Sequence, residues 1–417
     1  MKRRQFLAAG AAATLGAAGR PVRIGSIGTG NRGSSLMRVA MRLDAQVKAL
    51  CDPDPAALER AQAMVEKAGQ PKPEGYSGPE DFRRLVARDD LDAVLIATPW
   101  EFHTPIAVAA MKAGKYVGVE VPAAQTVEQC WELVNTSEQT GVPCMMLENW
   151  SFRRDNLAVL NMIRQGLMGE IVHCHCAHSH NCIYWYFDKQ GNPRWSGNWL
   201  LKRNADQYPT HSLGPVLSWM DINTGDSLKY LTATASRSLG MNRDFARRLG
   251  PDHPAAKRRY MQGDIVTSVV KTEKGNTIVI NNDMQLPRPY DNRWEIQGTE
   301  GLYNEQRNSV YLLNRSPKYE EWEPFGPYQE KYEHRWWQEI RSLPPDVGHG
   351  GTDYLELREF LNAVRNRTKP PIDVYDSAVM SVVVALSAQS IANGSAPVPC
   401  PDFTRGKWKT RKPAFGV

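Results

Sequence analysis

Between residues 21 and 150, short apolar runs rich in β-branched residues alternate with stretches whose apolar positions repeat at helical spacing. Such runs predict strands, and the 3.6-residue spacing predicts amphipathic helices. The predicted strands are 22–27, 46–51, 91–97, 116–119 and 143–147, and the predicted helices are 32–42, 55–68, 105–113 and 127–140. Alternation of strand and helix is typical of βαβ units, so we expect an α/β domain with a doubly wound parallel sheet.

After residue 150 the strands are no longer separated by helices. The predicted elements are a helix at 156–165, a strand at 170–180, a Trp- and Gly-rich loop up to 207, a helix at 212–224, strands at 228–236, 264–272, 277–283, 293–298 and 309–313, and helices at 354–366 and 376–392. Clustered strands of this kind predict an open, mainly antiparallel sheet. We therefore expect residues 151–417 to form a second, α+β domain, with the last two helices packing back on the body.

The composition of the 417-residue chain excludes several classes of protein. Hydrophobic residues make up 41%, which is too much buryable surface for a disordered chain. Gly, Pro or charge interrupts each apolar stretch before the roughly 18 residues that a membrane span requires. The net charge of +6 includes three positive charges at residues 2–4, so nucleic acid is not an expected partner. Seven cysteines, without a repeated CxxC pair, are expected to be mostly reduced core thiols.

The first twenty residues have the pattern of an export signal. Lys2, Arg3 and Arg4 precede a mildly apolar run, 8–18, that is rich in Ala and Gly. Two adjacent arginines before a weak apolar region are typical of a twin-arginine signal, and the alternative is an unstructured basic tail. The signal predicts a periplasmic or extracellular protein that leaves the cytoplasm already folded, with any soluble cofactor in place.

A glycine motif directly follows the first predicted strand and opens the first predicted helix. Gly28, Gly30 and Gly33 have the GxGxxG spacing that permits a tight turn, close approach of a pyrophosphate and close helix packing. Asp52 ends the second predicted strand, where a carboxylate accepts hydrogen bonds from both ribose hydroxyls. No Arg or Lys at 53–55 is available for a 2′-phosphate. The motif therefore predicts a Rossmann domain, residues 21–150, that binds NAD rather than NADP.

The segment after the predicted strand 91–97 adds two candidate residues. Ligands of doubly wound sheets bind at the carboxyl ends of the strands, which places Trp100 and His103 beside the nicotinamide. The alternatives are ordinary packing for Trp100 and a surface turn for His103.

Several longer stretches identify the family that the chain resembles. The matching stretches are Trp100-Glu101-Phe102-His103, Gly118-Val119-Glu120-Val121, Leu147-Glu148-Asn149, Tyr208-Pro209-Thr210-His211, Met220-Asp221-Ile222-Asn223, Arg288-Pro289-Tyr290, Gly348-His349-Gly350-Gly351 and Asp373-Val374-Tyr375-Asp376. With them the chain resembles glycoside hydrolase family 109, the NAD-dependent α-N-acetylgalactosaminidases of the Gfo/Idh/MocA group. That group joins a Rossmann domain to an open-sheet domain and often forms dimers through the open sheet.

The resemblance implies a set of site residues. Nucleotide contacts are expected at Asn31, Arg32, Asp52, Trp100 to His103, Glu120, Val121, Asn149 and Tyr208. Sugar contacts are expected at Tyr208, Pro209, Thr210, His211 and Tyr290. His180, which matches a family histidine, and Arg194 are further candidates for substrate binding.

The chain departs from these relatives at three places. The broader group commonly carries Glu-Lys-Pro, with the lysine relaying a proton, where this chain has Glu120-Val121-Pro122. Where the family has Trp-Arg with a sugar-binding arginine, this chain has Trp195-Ser196, and Arg194 lies one residue before the tryptophan. Where the family has Tyr-x-His-Asp, this chain has His-Ser-His-Asn at 178–181. The last two departures fall in the substrate half, so they leave the exact sugar open.

The family chemistry implies a reaction cycle with no net redox change. NAD oxidises the sugar 3-hydroxyl, the aglycone leaves C1 by elimination, water adds, and the retained NADH reduces C3. Such a cycle needs proton carriers, and His211 is the best candidate because imidazole titrates near neutrality. Tyr208 and Tyr290 are candidates for proton transfer or sugar binding. The assignment of individual steps stays open.

The cluster from His173 to Cys182 suggests a metal site at first sight. Along a strand, His173 and His175 face one way while Cys174, Cys176, His178 and His180 face the other, so no metal is predicted.

Two other functions remain open at this stage. A conventional NAD-dependent sugar oxidoreductase is disfavoured by Val121 and by export to a compartment without free NAD. A non-catalytic sugar-binding protein that retains NAD is the other alternative, and substitution of His211 distinguishes it from an enzyme.

Overall fold

The computed structural model describes residues 20–342 and 348–417. Apart from Arg20, the predicted export segment at 1–20 lies outside the described residues. The first sheet consists of β1 (Arg23–Ile27), β2 (Gln46–Cys51), β3 (Glu74–Tyr76), β4 (Ala93–Ile96), β5 (Tyr116–Val119) and β6 (Cys144–Met146). The order β3-β2-β1-β4-β5-β6, with every pair parallel, confirms the doubly wound sheet. Strand order reverses between β1 and β4, where such sheets open a ligand crevice.

Helices connect these strands and cover the sheet. They are α1 (Asn31–Arg42), α2 (Pro55–Lys67), α3 (Phe82–Val86), α4 (Trp100–Lys112) and α5 (Val127–Thr140). The strands are nearly continuously buried, as expected for a sheet covered on both faces.

A second sheet follows, in which neighbouring strands are antiparallel except for one parallel pair. Its strands are β7 (Ile171–Ser179), β8 (Leu228–Ala235), β9 (Val266–Thr272), β10 (Thr277–Asp283), β11 (Glu295–Gly298), β12 (Gly301–Asn304), β13 (Ser309–Leu312), β14 (Glu323–Pro324) and β15 (Val398–Pro399). They lie in the order β14-β13-β12-β11-β7-β10-β9-β8-β15, and among the described pairs of this second sheet only β7 and β10 run in parallel. The predicted open, mainly antiparallel sheet is confirmed.

The helices of this half are α6 (Arg154–Arg164), α7 (Ile183–Tyr186), α8 (Gly197–Lys202), α9 (Thr210–Trp219), α10 (Gly240–Leu249), α11 (Pro254–Lys257), α12 (Gly326–Lys331), α13 (Arg335–Glu339), α14 (Thr352–Asn366) and α15 (Val374–Ala392). Short 3₁₀ segments occur at Asn149–Phe152, His349–Gly351 and Lys407–Lys409. As predicted, the last two long helices pack back on the first domain, α14 against α1 and α15 against α5.

One helix of the described chain, α15, is long and apolar enough to cross a membrane. Most of its apolar window, 72%, is buried inside the protein. Its buried residues pack against α5 and β8, so α15 serves as a core helix.

The structure corrects two predicted helices and adds one that was not predicted. The helix predicted at 105–113 begins at Trp100, because Pro105 lies beyond the first turn rather than opening it. The helix predicted at 212–224 ends at Trp219, since Asp221 and Asn223 adopt positive φ values of 51° and 67°. The sequence analysis missed α10, whose first backbone N–H groups are capped by the distant Asp264 rather than by a local residue.

Candidate active site

A cleft opens at the carboxyl ends of β1 and β4, where the glycine motif turns into α1. We call it the inner cleft; it is lined by Arg32, Ala97, Thr98, Trp100, His103, Glu120, Val121, Asn149, Trp150, Trp185, Trp195, Tyr208, His211 and His349. Gly28 has a φ of +84°, and a Cβ on Gly33 would lie 1.9 Å from the Gly28 carbonyl oxygen. Both positions therefore require glycine to hold the turn against α1.

The turn leaves space and hydrogen-bond donors for a phosphate. A Cβ on Gly30 would meet nothing within 4 Å, so this glycine faces an open cradle. The first turn of α1, which begins at Asn31, has neither a side-chain cap nor an acidic residue. Its N–H groups and dipole suit a pyrophosphate. Asp52 is oriented by the backbone N–H of Thr29, at 2.7 Å from its carboxylate, as a ribose acceptor requires.

An ionic network forms one wall of the inner cleft. The Arg32 guanidinium lies 2.5 Å from Glu120 Oε1, 2.7 Å from Asp353 Oδ2 and 3.9 Å from Glu356 Oε2. Asn149 donates its side-chain N–H to Asp353 at 2.8 Å, while its buried Oδ1 has no partner within the described residues. A buried carbonyl without a donor is expected to find one in a ligand. The open cradle, the uncapped helix and this orphaned oxygen together fit NAD.

The start of α4 forms the floor of the inner cleft. His103 is buried rather than in a surface turn, and its ring nitrogens lie 2.8 Å from the carbonyl oxygens of Pro122 and Thr98. Trp100 packs against Trp185 and Trp195, with ring centroids 5.9 and 5.3 Å apart. The Trp-rich loop is thus pinned to the body by Trp100, and two of its tryptophans also line the cleft.

A second cavity lies beside the inner cleft, on the open-sheet side. We call it the outer cavity; it is lined by Trp150, His178, His180, Cys182, Tyr184, Trp185, Tyr208, His211, Met284, Tyr290 and His349. Its volume of about 460 Å³ lies in the range of about 300–1,000 Å³ typical of small-molecule sites.

Imidazole and phenol rings dominate the outer cavity. The centroid of the His178 ring lies 4.9 Å from that of His180, 5.1 Å from that of His211, 5.2 Å from that of Tyr208 and 5.7 Å from that of Tyr290. Burial is the main cause that lowers the pKa of His180 to about 4, and the neighbouring His211 adds to it. The same two causes lower the pKa of His178 well below its usual range. Burial raises the pKa of the Tyr208 hydroxyl. His178, His180 and Tyr208 are therefore neutral near pH 7.

His211 is held by a buried carboxylate. Its Nδ1 lies 2.7 Å from Oε1 of Glu148, which is fully buried and also accepts the backbone N–H groups of Trp150 and Ser151. A Cβ on Gly214, one turn along α9 from His211, would lie 1.8 Å from Oε2 of Glu148. The glycine thus makes room for the carboxylate. Glu148 already accepts two backbone N–H groups, so Nδ1 is assigned as the donor of the hydrogen bond to it and Nε2 is left free to accept a proton.

The inner cleft and the outer cavity share five lining residues, namely Trp150, Trp185, Tyr208, His211 and His349. A nucleotide in one and a sugar in the other would meet at this boundary. His211 therefore lies where proton transfer at the reacting carbon is needed.

Some candidates from the sequence do not line either cavity. Pro209 caps α9 and Thr210 begins it; both are buried outside the described lining. Arg194 lines a separate cavity with Asp188 and Arg248. Ser196 is buried and donates to the Trp185 carbonyl, so this position presents no charge to the sugar side. Pro209, Thr210 and Arg194 thus line neither the inner cleft nor the outer cavity, and sugar contact at these residues stays a prediction.

Sequence reasoning assigned no role to four residues that the fold brings into the site. These are Glu148, Trp150, His349 and Asp353. One usable signal was available for Glu148, which follows β6 just as Glu120 follows β5, at the edge where parallel strands end.

Comparisons with known proteins agree with this architecture. Residues 22–148 match the family model of the oxidoreductase family, NAD-binding Rossmann fold, and residues 152–410 match that of the glycosyl hydrolase 109, C-terminal domain. Among solved structures, a levoglucosan dehydrogenase in complex with NADH aligns with a TM-score of 0.68 at 19% identity, covering 92% of this chain and 100% of that chain. An NAD-binding oxidoreductase from Klebsiella pneumoniae aligns with a TM-score of 0.71 at 21% identity, covering 92% and 99%.

Curated relatives align over almost the whole chain. A glycosyl hydrolase family 109 protein of Stenotrophomonas maltophilia is 39% identical, covering 100% of this chain and 98% of the relative. An α-N-acetylgalactosaminidase of Tannerella forsythia is 40% identical, covering 95% and 89%. The first domain is an NAD-binding Rossmann domain, and the chain as a whole belongs to glycosyl hydrolase family 109 and is a glycoside hydrolase.

Proposed function

We propose that this protein hydrolyses terminal α-linked N-acetylgalactosaminides, or a closely related sugar, with one retained NAD. The observation that carries the proposal is the placement of His211 and its buried carboxylate, Glu148, at the boundary of the inner cleft and the outer cavity. The substrate class is supported by the Tannerella forsythia relative, whose name is α-N-acetylgalactosaminidase.

The chain supplies the groups that would hold the cofactor. The glycine turn and the start of α1 would take the pyrophosphate, Asp52 the ribose hydroxyls, and the Asn149 amide a polar group deeper in the inner cleft. Bound NAD supplies reversible hydride transfer at C3 of the sugar. Such a transfer would consume no free NAD, because the overall hydrolysis involves no net redox change.

His211 is the base that we assign to the sugar 3-hydroxyl. Glu148 holds the Nδ1 proton, so Nε2 can take the hydroxyl proton and return it when C3 is reduced. Only 13% of the His211 side chain is exposed, which keeps this proton away from bulk water between the two steps.

The other rings of the outer cavity orient the sugar. The Tyr208 ring meets the His211 ring edge to face, with centroids 5.0 Å apart, and lines both cavities. The Tyr290 and His180 rings are also arranged edge to face, with centroids 4.9 Å apart. The hydroxyl groups of Tyr208 and Tyr290 and the imidazole of His180 are neutral hydrogen-bonding partners suited to an uncharged sugar. A ketone at C3 makes the C2 hydrogen acidic, which permits elimination of the aglycone from C1.

The alternative of a net sugar oxidoreductase is not favoured. Val121 lines the inner cleft at the position where the broader group carries a proton-relaying lysine, and an apolar side chain cannot replace that relay.

An isotope experiment tests the mechanism. Purified protein without added NAD is incubated with an aryl α-N-acetylgalactosaminide in heavy water, and the released sugar is weighed by mass spectrometry. We expect one non-exchangeable deuterium at C2. Release without that deuterium contradicts the elimination step, and no release contradicts the proposed substrate.

We further propose export by the twin-arginine route, on the basis of Arg3 and Arg4. Replacement of both by Lys should retain the protein in the cytoplasmic fraction of a host with this export machinery, while the unchanged chain reaches the periplasm. Equal distribution of the two forms would contradict export by this route.

A further inference from the structure

A third cavity adjoins the outer cavity but not the inner cleft. We call it the side cavity; its volume is about 470 Å³, and its lining includes Ile183, Tyr184, Phe187, Lys189 and Arg194. It shares Tyr184 with the outer cavity and has no described lining residue in common with the inner cleft. A ligand that extends from the outer cavity into the side cavity therefore passes Tyr184.

Tyr184 forms the ridge between the outer cavity and the side cavity. The residue is 72% exposed, and no described aromatic ring packs on its ring and no described residue forms a hydrogen bond with its hydroxyl. An exposed phenol ring has an apolar face and a polar end, which suits contact with a ligand at the surface. The ridge thus offers a stacking face to a sugar that follows the one in the outer cavity.

The wall of the side cavity is anchored through its backbone. The Arg194 N–H donates to the Tyr186 carbonyl oxygen at 2.9 Å, and Phe187 pairs with Pro193 in an antiparallel bridge. Phe187 and Ile183 are buried in the smaller of the two hydrophobic clusters that the described residues form. The side cavity therefore has an apolar floor, and the backbone that carries Arg194 is fixed against it.

The cations of the side cavity are unequally paired. Arg248 lies 2.7 Å from Asp244, and the Asp188 carboxylate accepts three N–H groups of its own turn. Lys189 and Arg194 are both exposed and form no ion pair with any residue that the structure describes. With three cations and two carboxylates, the lining has an excess of one positive charge.

We propose that the side cavity binds the sugar next to the scissile bond and selects a sugar that carries an anionic group, a carboxylate or a sulfate ester. Arg194 and Lys189 donate to the anionic oxygens, and the planar guanidinium can do so through two parallel hydrogen bonds. Tyr184 stacks on the ring of the same sugar. The inference rests on the proposed function, in which the terminal sugar occupies the outer cavity.

Three disaccharides test the selection. Each has α-N-acetylgalactosamine linked 1→3 to a second sugar, which is galactose, galacturonic acid or galactose 6-sulfate, so only the group at C6 of the aglycone differs. The double variant Arg194→Gln, Lys189→Gln removes both unpaired cations. Arg315→Gln with Lys318→Gln is the matched control, because it removes the same two charges from the loop between β13 and β14, outside the three cavities.

We expect the wild type to act on at least one anionic disaccharide with a kcat/KM about three- to tenfold above that on the neutral one, as two exposed ion pairs allow. The double variant should lose this preference and keep its kcat/KM on the neutral disaccharide within about twofold, while the control keeps both. Added salt should weaken the preference of the wild type. A preference for only one of the two anionic disaccharides identifies the selected group as a carboxylate or as a sulfate ester.

Equal kcat/KM of the wild type on the three disaccharides would overturn the inference, and so would a preference that persists in the double variant. Tyr184→Ala should raise KM for all three disaccharides but not for the methyl α-glycoside, and an unchanged KM contradicts the stacking contact. The methyl glycoside has no second sugar, so it separates the two proposals. No release from any substrate contradicts the proposed function itself, whereas release from the methyl glycoside without a preference among the disaccharides contradicts only the role of the side cavity.

Discussion

The inner cleft and the outer cavity meet at the same side chains but are built in different ways. The nucleotide turn beside the inner cleft takes its shape from backbone in one continuous segment, from Gly28 to Asp52, with glycines where a Cβ would collide. The outer cavity takes its shape from side chains of separate elements, including His178 on β7, His211 on α9 and Tyr290 in a loop. A backbone-built site can be read from a local motif, whereas a side-chain-built site depends on how distant elements pack.

The two regions also differ in charge. Arg32 with the carboxylates of Glu120 and Asp353 makes the inner cleft ionic, while His178, His180 and Tyr208 are neutral near pH 7. Fixed charges and dipoles suit a charged cofactor, and neutral imidazoles suit the movement of protons on an uncharged sugar.

The largest predicted effect separates chemistry from cofactor binding. His211→Gln removes the base of the outer cavity, so we expect kcat to fall about 10²–10⁴-fold while bound NAD stays at the wild-type level. Initial rates of sugar release and absorbance of extracted NAD measure the two quantities, with His253→Gln as the control. Loss of NAD together with activity would show that the two regions cannot be separated at this residue.

Next in size is the loss of the buried carboxylate behind His211. Glu148→Gln puts a donor NH₂ or a neutral oxygen against Nδ1, so the tautomer with basic Nε2 is no longer favoured. We expect at least about a tenfold fall in kcat with little change in KM, because the ring is misprotonated rather than removed. An unchanged kcat would mean that Glu148 only supports the 149–152 turn.

A glycine substitution tests the backbone-built region. Gly33→Ala places a Cβ 1.9 Å from the Gly28 carbonyl oxygen and should lower the free energy of unfolding by about 1–3 kcal/mol, with loss of bound NAD. Gly326→Ala is the matched control, because its Cβ would meet nothing within 4 Å. Denaturant titration measures both variants, and equal stability of the two would contradict the steric role of Gly33.

The smallest effect is a pH dependence of stability from the outer cavity. The folded-state pKa of His180, about 4, lies below the usual value near 6.5, so the unfolded chain binds the proton more tightly. The free energy of unfolding should therefore fall as pH drops from about 6.5 to about 4. His180→Gln should reduce the slope of that free energy against pH by up to the amount that corresponds to about one bound proton. Unfolding titrations across this window measure the slope. An unchanged slope would show that His180 is not held neutral by the fold.

Much of the fold was predictable from patterns within one element. Five of the six strands of the first sheet (all but the short β3), the glycine turn and the long α15 follow from apolar spacing and local capping, such as Asp373 at the start of α15. The start of α10 was not predictable, because its cap, Asp264, lies 24 residues away from Gly240. The inward placement of Asp353 could not be predicted for the same reason, since its partners Arg32 and Asn149 lie 321 and 204 residues away in the chain.

The sequence by itself determined the sheet classes, the nucleotide turn with Asp52 and the candidacy of His211, because each depends on spacing, backbone sterics or a titratable group within one segment. Only the tertiary structure decided which carboxylate orients each imidazole, which predicted sugar contacts reach the cavity, and that His349 faces His211 across Trp150. These contacts join segments far apart in the chain, and burial of the connecting helices and sheets, rather than any local preference, fixes their distances.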